Sequence, residues 1–551
     1  MARRSALVGV TAPAPPAPAV AGLRGAARGG AVNLAGTAFT GLAGLGVTWL
    51  VAHSMDGRTA HAGAFFTATA AFTLATTVAK LGSQTSLVYW PARLRAQGQD
   101  RLLAQCLRVG LVPVALVGVA LAALLWLAAP ALVGSGPAHP GGGLTPGGPA
   151  HTGGGLTPGG PAHTGGGLTP GGPVHTGGGA ASVGGQLHVL APFLPLAALS
   201  DAVLAATRGY RSMRPTVLLD RILRPALQLG AVAVVSAVSA PLLPVAWAAP
   251  FAASALLSAT ALRRLHSRLS TVDDNSPTLA REFWTFAGPR ALASVAQLAL
   301  QRVDILLVAA LAGLPAAAVY TVAGRFVVLG QFVNQAVSQA VQPRLAERLA
   351  VDDRSATRAL YRYATAWLVL ATWPLYLLVA SYPSVYLGLF GPGYRTGAPI
   401  VVVLAGAMLL ATACGMVDMV LAMAGRTRWN LANVALALAV TLGVDLVAVP
   451  RFGALGAAVG LAAAVCADNL VPLAQIGYAL RLHPFGHATV AAGALAVGCF
   501  GVPALALRIA AGPPSLGVAA AVVCTGGVAY LAGVLRLRRL LGLPTVKACQ
   551  Q

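Results

Sequence analysis

Charged residues are scarce in this sequence. Asp, Glu, Lys and Arg together make up 9% of the 551 residues, whereas 57% are hydrophobic. A soluble globular domain usually carries about 25% charged residues. The composition therefore excludes an ordinary soluble protein and predicts a polytopic membrane protein.

Acidic residues are rarer than basic ones. The chain has 14 Asp and Glu against 37 Lys and Arg, and Lys80 and Lys547 are the two lysines. The net charge of +23 is compatible with binding to nucleic acid. However, the arginines lie in short stretches between apolar segments, which is where a membrane protein places them. We therefore expect contact with membrane lipids and no nucleic-acid partner.

Cysteine pairs and nucleotide-binding motifs are missing. The six cysteines form no C-x-x-C pair, and most of them lie inside apolar segments. This pattern predicts neither a disulfide framework nor a metal site. The motif G-x-x-x-x-G-K-[ST] does not occur, so we expect no ATP hydrolysis by this chain. These observations favour a protein that has no cofactor and is not an enzyme.

Long apolar segments dominate what is present, and each has close to the roughly 20 residues that a helix needs to cross a bilayer. There are fourteen of them, at 31–53, 62–88, 107–133, 187–207, 217–239, 243–262, 285–313, 318–342, 363–388, 398–424, 430–449, 453–478, 487–509 and 515–535. The segments predict an all-α protein with about fourteen transmembrane helices.

The loops between the apolar segments are alternately rich and poor in arginine, so one predicted side of the membrane has many arginines and the other has few. The poorer side has only four, which are Arg58, Arg395, Arg451 and Arg508. Cytoplasmic loops are enriched in Lys and Arg, so both termini are predicted to be cytoplasmic, in a bacterial plasma membrane. On this topology 1–30 is a disordered cytoplasmic tail, 263–284 a cytoplasmic linker and 536–551 a second tail.

One long loop, 134–185, lies on the outer side in this topology. It repeats a Gly- and Pro-rich unit of about twelve residues that places His139, His151, His163 and His175 in register. It has few large apolar residues to bury and abundant Gly and Pro, so we expect it to be disordered. It also carries no charge, which argues against a membrane glycosyltransferase or polymerase, because such an enzyme is expected to have a structured outer loop with carboxylates or arginines.

Polar side chains follow one face of the seventh segment. Arg290, Ser294, Gln297, Gln301 and Asp304 recur at spacings of 4, 3, 4 and 3 residues, which places them within an arc of roughly 80° on a helix. A charged group in hydrocarbon costs about 3 kcal/mol even on lenient scales. We therefore expect this face to line a cavity rather than to contact lipid.

Similar stripes occur in the first, second and eighth segments. Aligning 50–53 with 307–310 sets the stripe of the first segment opposite that of the seventh without a gap. This correspondence predicts two parallel six-helix repeats. They form two lobes, 31–262 and 285–478, around a central cavity, and 487–535 adds two C-terminal helices.

Several segments resemble a known family. They are GGAVNLAGTAF (29–39), AKLGSQTSLV (79–88), RVDILLVAALAG (302–313), AGRTRWNL (424–431) and VPRFGALGAAVG (449–460). In these pieces the chain is similar to the multidrug, oligosaccharidyl-lipid and polysaccharide exporter superfamily, and most closely to the O-antigen-type flippases of its polysaccharide branch. Ala318 stands where the family usually has Gly.

The resemblance implies a flippase for cell-surface polysaccharide biosynthesis. Such a protein moves an oligosaccharide linked to undecaprenyl diphosphate from the inner to the outer leaflet by alternating access. Hydroxyls and amides can bond sugar hydroxyls, and cations such as Lys80 and Arg290 can hold a diphosphate. The candidate cavity residues are Asn33, Thr37, Thr40, Thr76, Lys80, Gln84, Arg290, Gln297, Gln301, Gln331, Asn334 and Gln335.

Asp304 and Arg325 lie at comparable depths on facing segments. They can form a gate that closes the outer side or a permanent structural pair, or Asp304 can bind a coupling proton or cation. Asp201, Asp418, Asp445 and Asp468 are further embedded carboxylates.

Two other transporter classes stay open. A lipid II flippase is expected to have several arginines in its first segment, and a cation-coupled multidrug exporter an acidic or aromatic pocket.

Overall fold

A computed structural model of the protein describes residues 18–55, 59–133, 183–210, 212–267, 276–350, 353–511 and 516–541. Within these ranges the chain is helical and contains no β-strand. Thirteen helical spans are long and apolar enough to cross a membrane, and a shorter apolar helix, Ala520–Arg536, lies where the fourteenth is predicted. The predicted all-α polytopic fold is confirmed.

The first six spans form one half of the molecule. In chain order, spans 1 to 6 are Ala35–Ser54, Thr59–Ala96, Asp100–Ala129, Val183–Gly209, Thr216–Val238 and Leu243–His266. The helix of span 1 begins at Pro18, so residues 18–30 are helical and not the disordered tail predicted for them. No proline follows Pro18 in this stretch, and nothing interrupts the helix before span 1. The histidine repeat of 134–182 lies outside the described residues.

The remaining spans form the second half and two C-terminal helices. Spans 7 to 13 are Leu279–Leu311, Leu314–Ser338, Arg354–Ser381, Pro392–Met423, Arg428–Phe452, Ala454–Leu480 and His487–Ala510. The helix that contains the fourteenth apolar segment, called span 14, is Leu516–Arg536.

Several spans are not continuous α-helices. Span 2 breaks where Leu81 and Gly82 adopt positive φ angles of 51° and 67°. Span 10 breaks at Gly415, whose φ is 77°. The hydroxyl of Tyr361 donates to the carbonyl of Cys414 at 2.6 Å, which supplies a partner for a backbone group at this break. Such breaks are tolerated in membranes where protein groups take up the backbone bonds that the helix loses.

A hydrophobic core joins the two halves. It contains Val51 and Phe65 from the first half and Val308, Tyr320 and Phe326 from the second. All five are nearly or fully buried, so spans 1 and 2 pack directly against spans 7 and 8. These are the four spans that the polar stripes predict at the interface.

The halves are in contact on both sides of this interface. On the predicted outer side, Gly63 of span 2 approaches the carbonyl of Leu314 so closely that any side chain would overlap it. On the predicted inner side, Gly82 approaches the backbone of Ala291 in the same way, and the rings of Tyr89 and Phe286 stack at 4.6 Å. Span 2 therefore contacts the second half near both predicted sides of the membrane.

Gly63→Ala is expected to open the outer contact. The added methyl group overlaps the Leu314 carbonyl, and overpacking of this kind costs about 1–3 kcal/mol. We expect faster amide hydrogen exchange at residues 59–66 and 314–320, measured by mass spectrometry. Gly230→Ala is the matched control, since a Cβ at Gly230 meets no atom within 4 Å. Equal exchange in the two variants would show that the contact does not depend on glycine.

Candidate substrate cavity

A cavity of about 360 Å³ lies between the two halves. Spans 1, 2, 5 and 6 line it from the first half, and spans 7 and 8 from the second. Aromatic rings form part of the wall, because Trp247 makes edge contacts with Phe65 and Phe251. Gln228 adds an amide and donates to the carbonyl of Trp247 at 3.0 Å. Apolar walls with a few placed polar groups are typical of ligand sites.

Three guanidinium groups face this cavity. They belong to Arg224, Arg302 and Arg325, and no acidic side chain is among the described residues of the lining. The Nε atoms of Arg302 and Arg325 are buried and have no hydrogen-bond partner, although Arg325 lies 5.9 Å from the centre of the Phe66 ring. Buried charges without partners are costly. The cavity is therefore electropositive and suited to an anion that arginine can bind through two oxygens.

Span 7 presents a different face to the cavity from the one that its polar stripe predicts. Arg302 lies about 100° from Gln301 on the helix, so the sequence pattern predicts that it packs between helices. In the structure it lines the cavity. Gln297 and Gln301 are exposed and lie outside the lining. Arg290 is also exposed. Its guanidinium donates to the carbonyl of Phe286 in the same helix at 2.9 Å and lies over the Phe286 ring.

The other predicted cavity residues are mostly placed elsewhere. Gln84 is half-buried outside the lining, and Gln331, Asn334 and Gln335 are exposed outside it. The side chain of Asn33 lies outside the described residues. Lys80 forms a 2.9 Å ion pair with Asp201 and does not reach the cavity. Lys80 and Arg290 are thus not among the described residues of the lining, whereas Arg224, Arg302 and Arg325 are.

The threonines predicted to line the cavity form hydrogen bonds within or between helices. Thr76 donates to the carbonyl of Phe72 at 2.8 Å, and Thr37 accepts from Arg221 at 2.6 Å. Thr40 lines the cavity, but its hydroxyl lies 3.0 Å from the carbonyl of Arg221. Threonine in membrane helices often has this role.

Asp304 and Arg325 are not paired in this conformation. The buried carboxylate of Asp304 accepts a bond from the hydroxyl of Tyr320 and one of 2.9 Å from the amide of Ile305. Arg325 faces the cavity. A permanent structural pair between Asp304 and Arg325 is therefore wrong for this conformation, and a gate between them is not formed here.

A second carboxylate lies close to Asp304. Asp445 of span 11 is fully buried, and neither of its oxygens has a hydrogen-bond partner. It is within electrostatic reach of both Asp304 and Tyr320, and no salt bridge is formed by either carboxylate among the described residues. Buried carboxylates without a salt bridge are costly to ionise, which favours a proton or a cation at each of them.

The sequence pattern misses Arg224 and Gln228. Both lie in the fifth apolar segment, where a charged residue inside a membrane span is itself a signal of function. Asp220, four residues before Arg224, forms an ion pair with it at 2.6 Å. An Asp-x-x-x-Arg pattern inside an apolar segment could have identified this wall of the cavity.

Two helical halves around a polar cavity within the membrane spans are an architecture that many secondary transporters have. A family model described as "Polysaccharide biosynthesis protein" matches residues 193–391. A search of the curated proteins gives no match.

Solved structures share the fold. The chain is similar to the lipid II flippase MurJ in an inward closed conformation, with a TM-score of 0.67 and 11% identity over 92% of this chain and 98% of that chain. An inward-facing multidrug resistance transporter of the MATE family matches with a TM-score of 0.58 and 14% identity, over 81% of this chain and 97% of that chain. A transporter from Pyrococcus furiosus matches with a TM-score of 0.54 and 15% identity, over 82% of this chain and 94% of that chain. The last two are described as members of the MOP superfamily, and the fold that the sequence resemblance implies is confirmed.

Asp445→Asn is expected to stabilise the protein in a buffer of pH 8 without alkali cations. The substitution keeps the shape of the side chain and removes a buried charge that has no partner, a gain of about 1–3 kcal/mol. Thermal unfolding followed by tryptophan fluorescence measures the change. Asp353→Asn, which removes a carboxylate 3.4 Å from Arg348 outside the spans, is the control. An unfolding temperature of Asp445→Asn below that of the wild type would contradict the conclusion that the Asp445 carboxylate has no partner.

Proposed function

We propose that this protein is a flippase that moves an oligosaccharide linked to undecaprenyl diphosphate from the inner to the outer leaflet of a bacterial plasma membrane. The observation that carries this proposal is the cavity wall with Arg224, Arg302 and Arg325 and no acidic side chain among its described residues. A planar guanidinium matches phosphate oxygens in pairs, which makes arginine well suited to hold a diphosphate.

Both halves contribute to this site. Arg224 belongs to the first half, and Arg302 and Arg325 belong to the second. A diphosphate between them neutralises cations on both sides and thereby lowers the cost of bringing the halves together. Opening at the Gly82 contact admits the lipid from the inner leaflet, and opening at the Gly63 contact releases it outside. This sequence of states is alternating access between two parallel repeats.

The carboxylates of Asp304 and Asp445 are our candidates for the coupling site. They are buried in the second half and form no salt bridge among the described residues, whereas Asp201 is neutralised by Lys80 and Asp418 is exposed. A proton or a monovalent cation at this site offsets the charge of the two carboxylates. We propose that its gradient drives the opening and closing of the cavity.

A lipid II flippase is the second candidate. The similarity to MurJ over 92% of this chain supports it, and the cationic cavity suits any lipid that carries a diphosphate. The polysaccharide biosynthesis model at residues 193–391 favours the first candidate. A multidrug exporter for cationic drugs fits less well, because the described lining is basic.

Arg302→Gln combined with Arg325→Gln is expected to slow flipping at least about tenfold, because each arginine supplies charge-assisted bonds to phosphate. The assay uses the purified protein in liposomes with a fluorescent lipid-linked oligosaccharide, and dithionite quenching reports the leaflet. Arg451→Gln is the control, since this exposed arginine bonds the carbonyl of Val447 in its own helix.

Flipping at the wild-type rate by the double variant would overturn the role of the cavity. The same liposomes loaded with fluorescent lipid II separate the two candidates. Movement of lipid II without movement of the lipid-linked oligosaccharide would favour the second.

Asp304→Asn is expected to abolish the dependence of flipping on an ion gradient, because it removes one of the two charges that hold the ion. Rates are measured in liposomes with an imposed pH or sodium gradient, and thermal unfolding checks the fold. Asp353→Asn should keep the full dependence, since this acid lies outside the spans. A gradient dependence that survives in Asp304→Asn would place the coupling site elsewhere.

A further inference from the structure

Span 5 begins with an unusual turn. Residues Thr216–Leu223 form a π-helix, and the regular α-helix starts at Arg224. Pro225 gives the physical reason, because its ring clashes with the carbonyl four residues earlier, that of Arg221, and it has no N–H to donate. Short π-helical turns inside α-helices occur frequently at functional sites.

The carbonyl of Arg221 has a partner on span 1. The hydroxyl of Thr40 lies 3.0 Å from it, and the Arg221 guanidinium donates to the hydroxyl of Thr37 at 2.6 Å. Both polar groups of Arg221 thus bond span 1 to span 5. Its side chain is directed to span 1 and is not among the residues of the cavity wall.

Asp220 lies in the same π-helical turn and holds the other arginine of span 5. Its Oδ1 atom is 2.6 Å from the guanidinium of Arg224, and its Oδ2 atom is 3.5 Å from Nε of Arg221. The Arg224 guanidinium lies 4.9 Å from the centre of the Phe251 ring and faces the cavity. A carboxylate on one side and an aromatic ring on another restrict where this cation can point.

We propose that Asp220 is a positioning residue, which fixes the Arg224 guanidinium against the cavity so that a diphosphate can bridge the two halves. The proposal rests on the proposed function and adds to it a residue that touches no substrate. Arg302 and Arg325 on the opposite wall have no ion-pair partner among the described residues. Arg224 therefore differs from them in being held by an acid.

The sign of one measurement separates positioning from plain electrostatics. Asp220→Asn removes a negative charge close to the cavity, so an effect of charge alone would tighten the binding of an anion. A positioning role gives the opposite result, because Arg224 loses the partner that fixes its orientation and gains rotamer freedom that binding must remove. We expect weaker binding by about tenfold, the size of one charge-assisted hydrogen bond.

The experiment measures binding of farnesyl diphosphate to the purified full-length protein in detergent, with farnesol as the uncharged probe. The variants are Asp220→Asn, Asp220→Glu, Arg224→Gln and the double variant Asp220→Asn with Arg224→Gln. Asp220→Glu keeps the charge and should recover part of the affinity. The double variant should bind like Arg224→Gln alone, because Asp220 acts through Arg224. Asp353→Asn, the other acid paired with an arginine, should bind like the wild type.

Three results would overturn the inference. The first is binding by Asp220→Asn that equals or exceeds that of the wild type. The second is a further loss in the double variant beyond Arg224→Gln, which would show that Asp220 acts through the fold or through Arg221. The third is a wild type that binds farnesol as well as the diphosphate, a result that also removes the proposed function and is thereby distinct from the first two. If Asp220→Asn unfolds, Asp220→Glu in the wild-type and Arg224→Gln backgrounds gives the same cycle.

Discussion

The membrane interior solvates charge poorly, and the arrangement of this protein follows from that constraint. A charged group within a span must have a partner of opposite sign or face a polar space. In the first half, Asp201 lies 2.9 Å from Lys80 and Asp220 lies 2.6 Å from Arg224. In the second half the carboxylate of Asp445 has no such partner. Asp201 and Asp220 of the first half are thus paired with basic residues, whereas Arg302, Arg325 and Asp445 of the second half form no salt bridge among the described residues.

Basic and acidic groups of the second half meet on span 7. Arg302 and Asp304 are two residues apart, which is about 200° around a helix, so they point to nearly opposite sides. Arg302 faces the cavity, and Asp304 is buried beside Tyr320 and within electrostatic reach of Asp445. One continuous helix, Leu279–Leu311, therefore carries residues of both groups. A shift of span 7 at one site necessarily moves a charged group at the other, which is the physical requirement for coupling.

The sequence predicts the fold well because membrane spans depend on length, apolarity and loop charge, all of which are local. It predicts the site less well, because helical periodicity shows which residues share a face but not what that face meets. Gln297 and Gln301 share a face that is exposed, whereas Arg302, on another face, reaches the cavity. Lys80 is neutralised by Asp201, which is 121 residues away, and no spacing rule shows this. In span 5 the π-helical segment Thr216–Leu223 changes the direction in which the following side chains point. A helical wheel drawn for a regular α-helix does not predict that change.

In the mechanism proposed above, span 7 also determines the direction of coupling between the ion and the substrate. Asp304 is the acid within electrostatic reach of Arg302, and it reduces the positive potential that Arg302 presents to the cavity. A proton or cation at Asp304 cancels this influence, so that the cavity attracts a diphosphate more strongly. By linkage, a bound diphosphate raises the affinity for the ion by the same factor. In this proposed mechanism the ion and the lipid-linked substrate bind together, and loss of the ion weakens the interaction of Arg302 with the substrate.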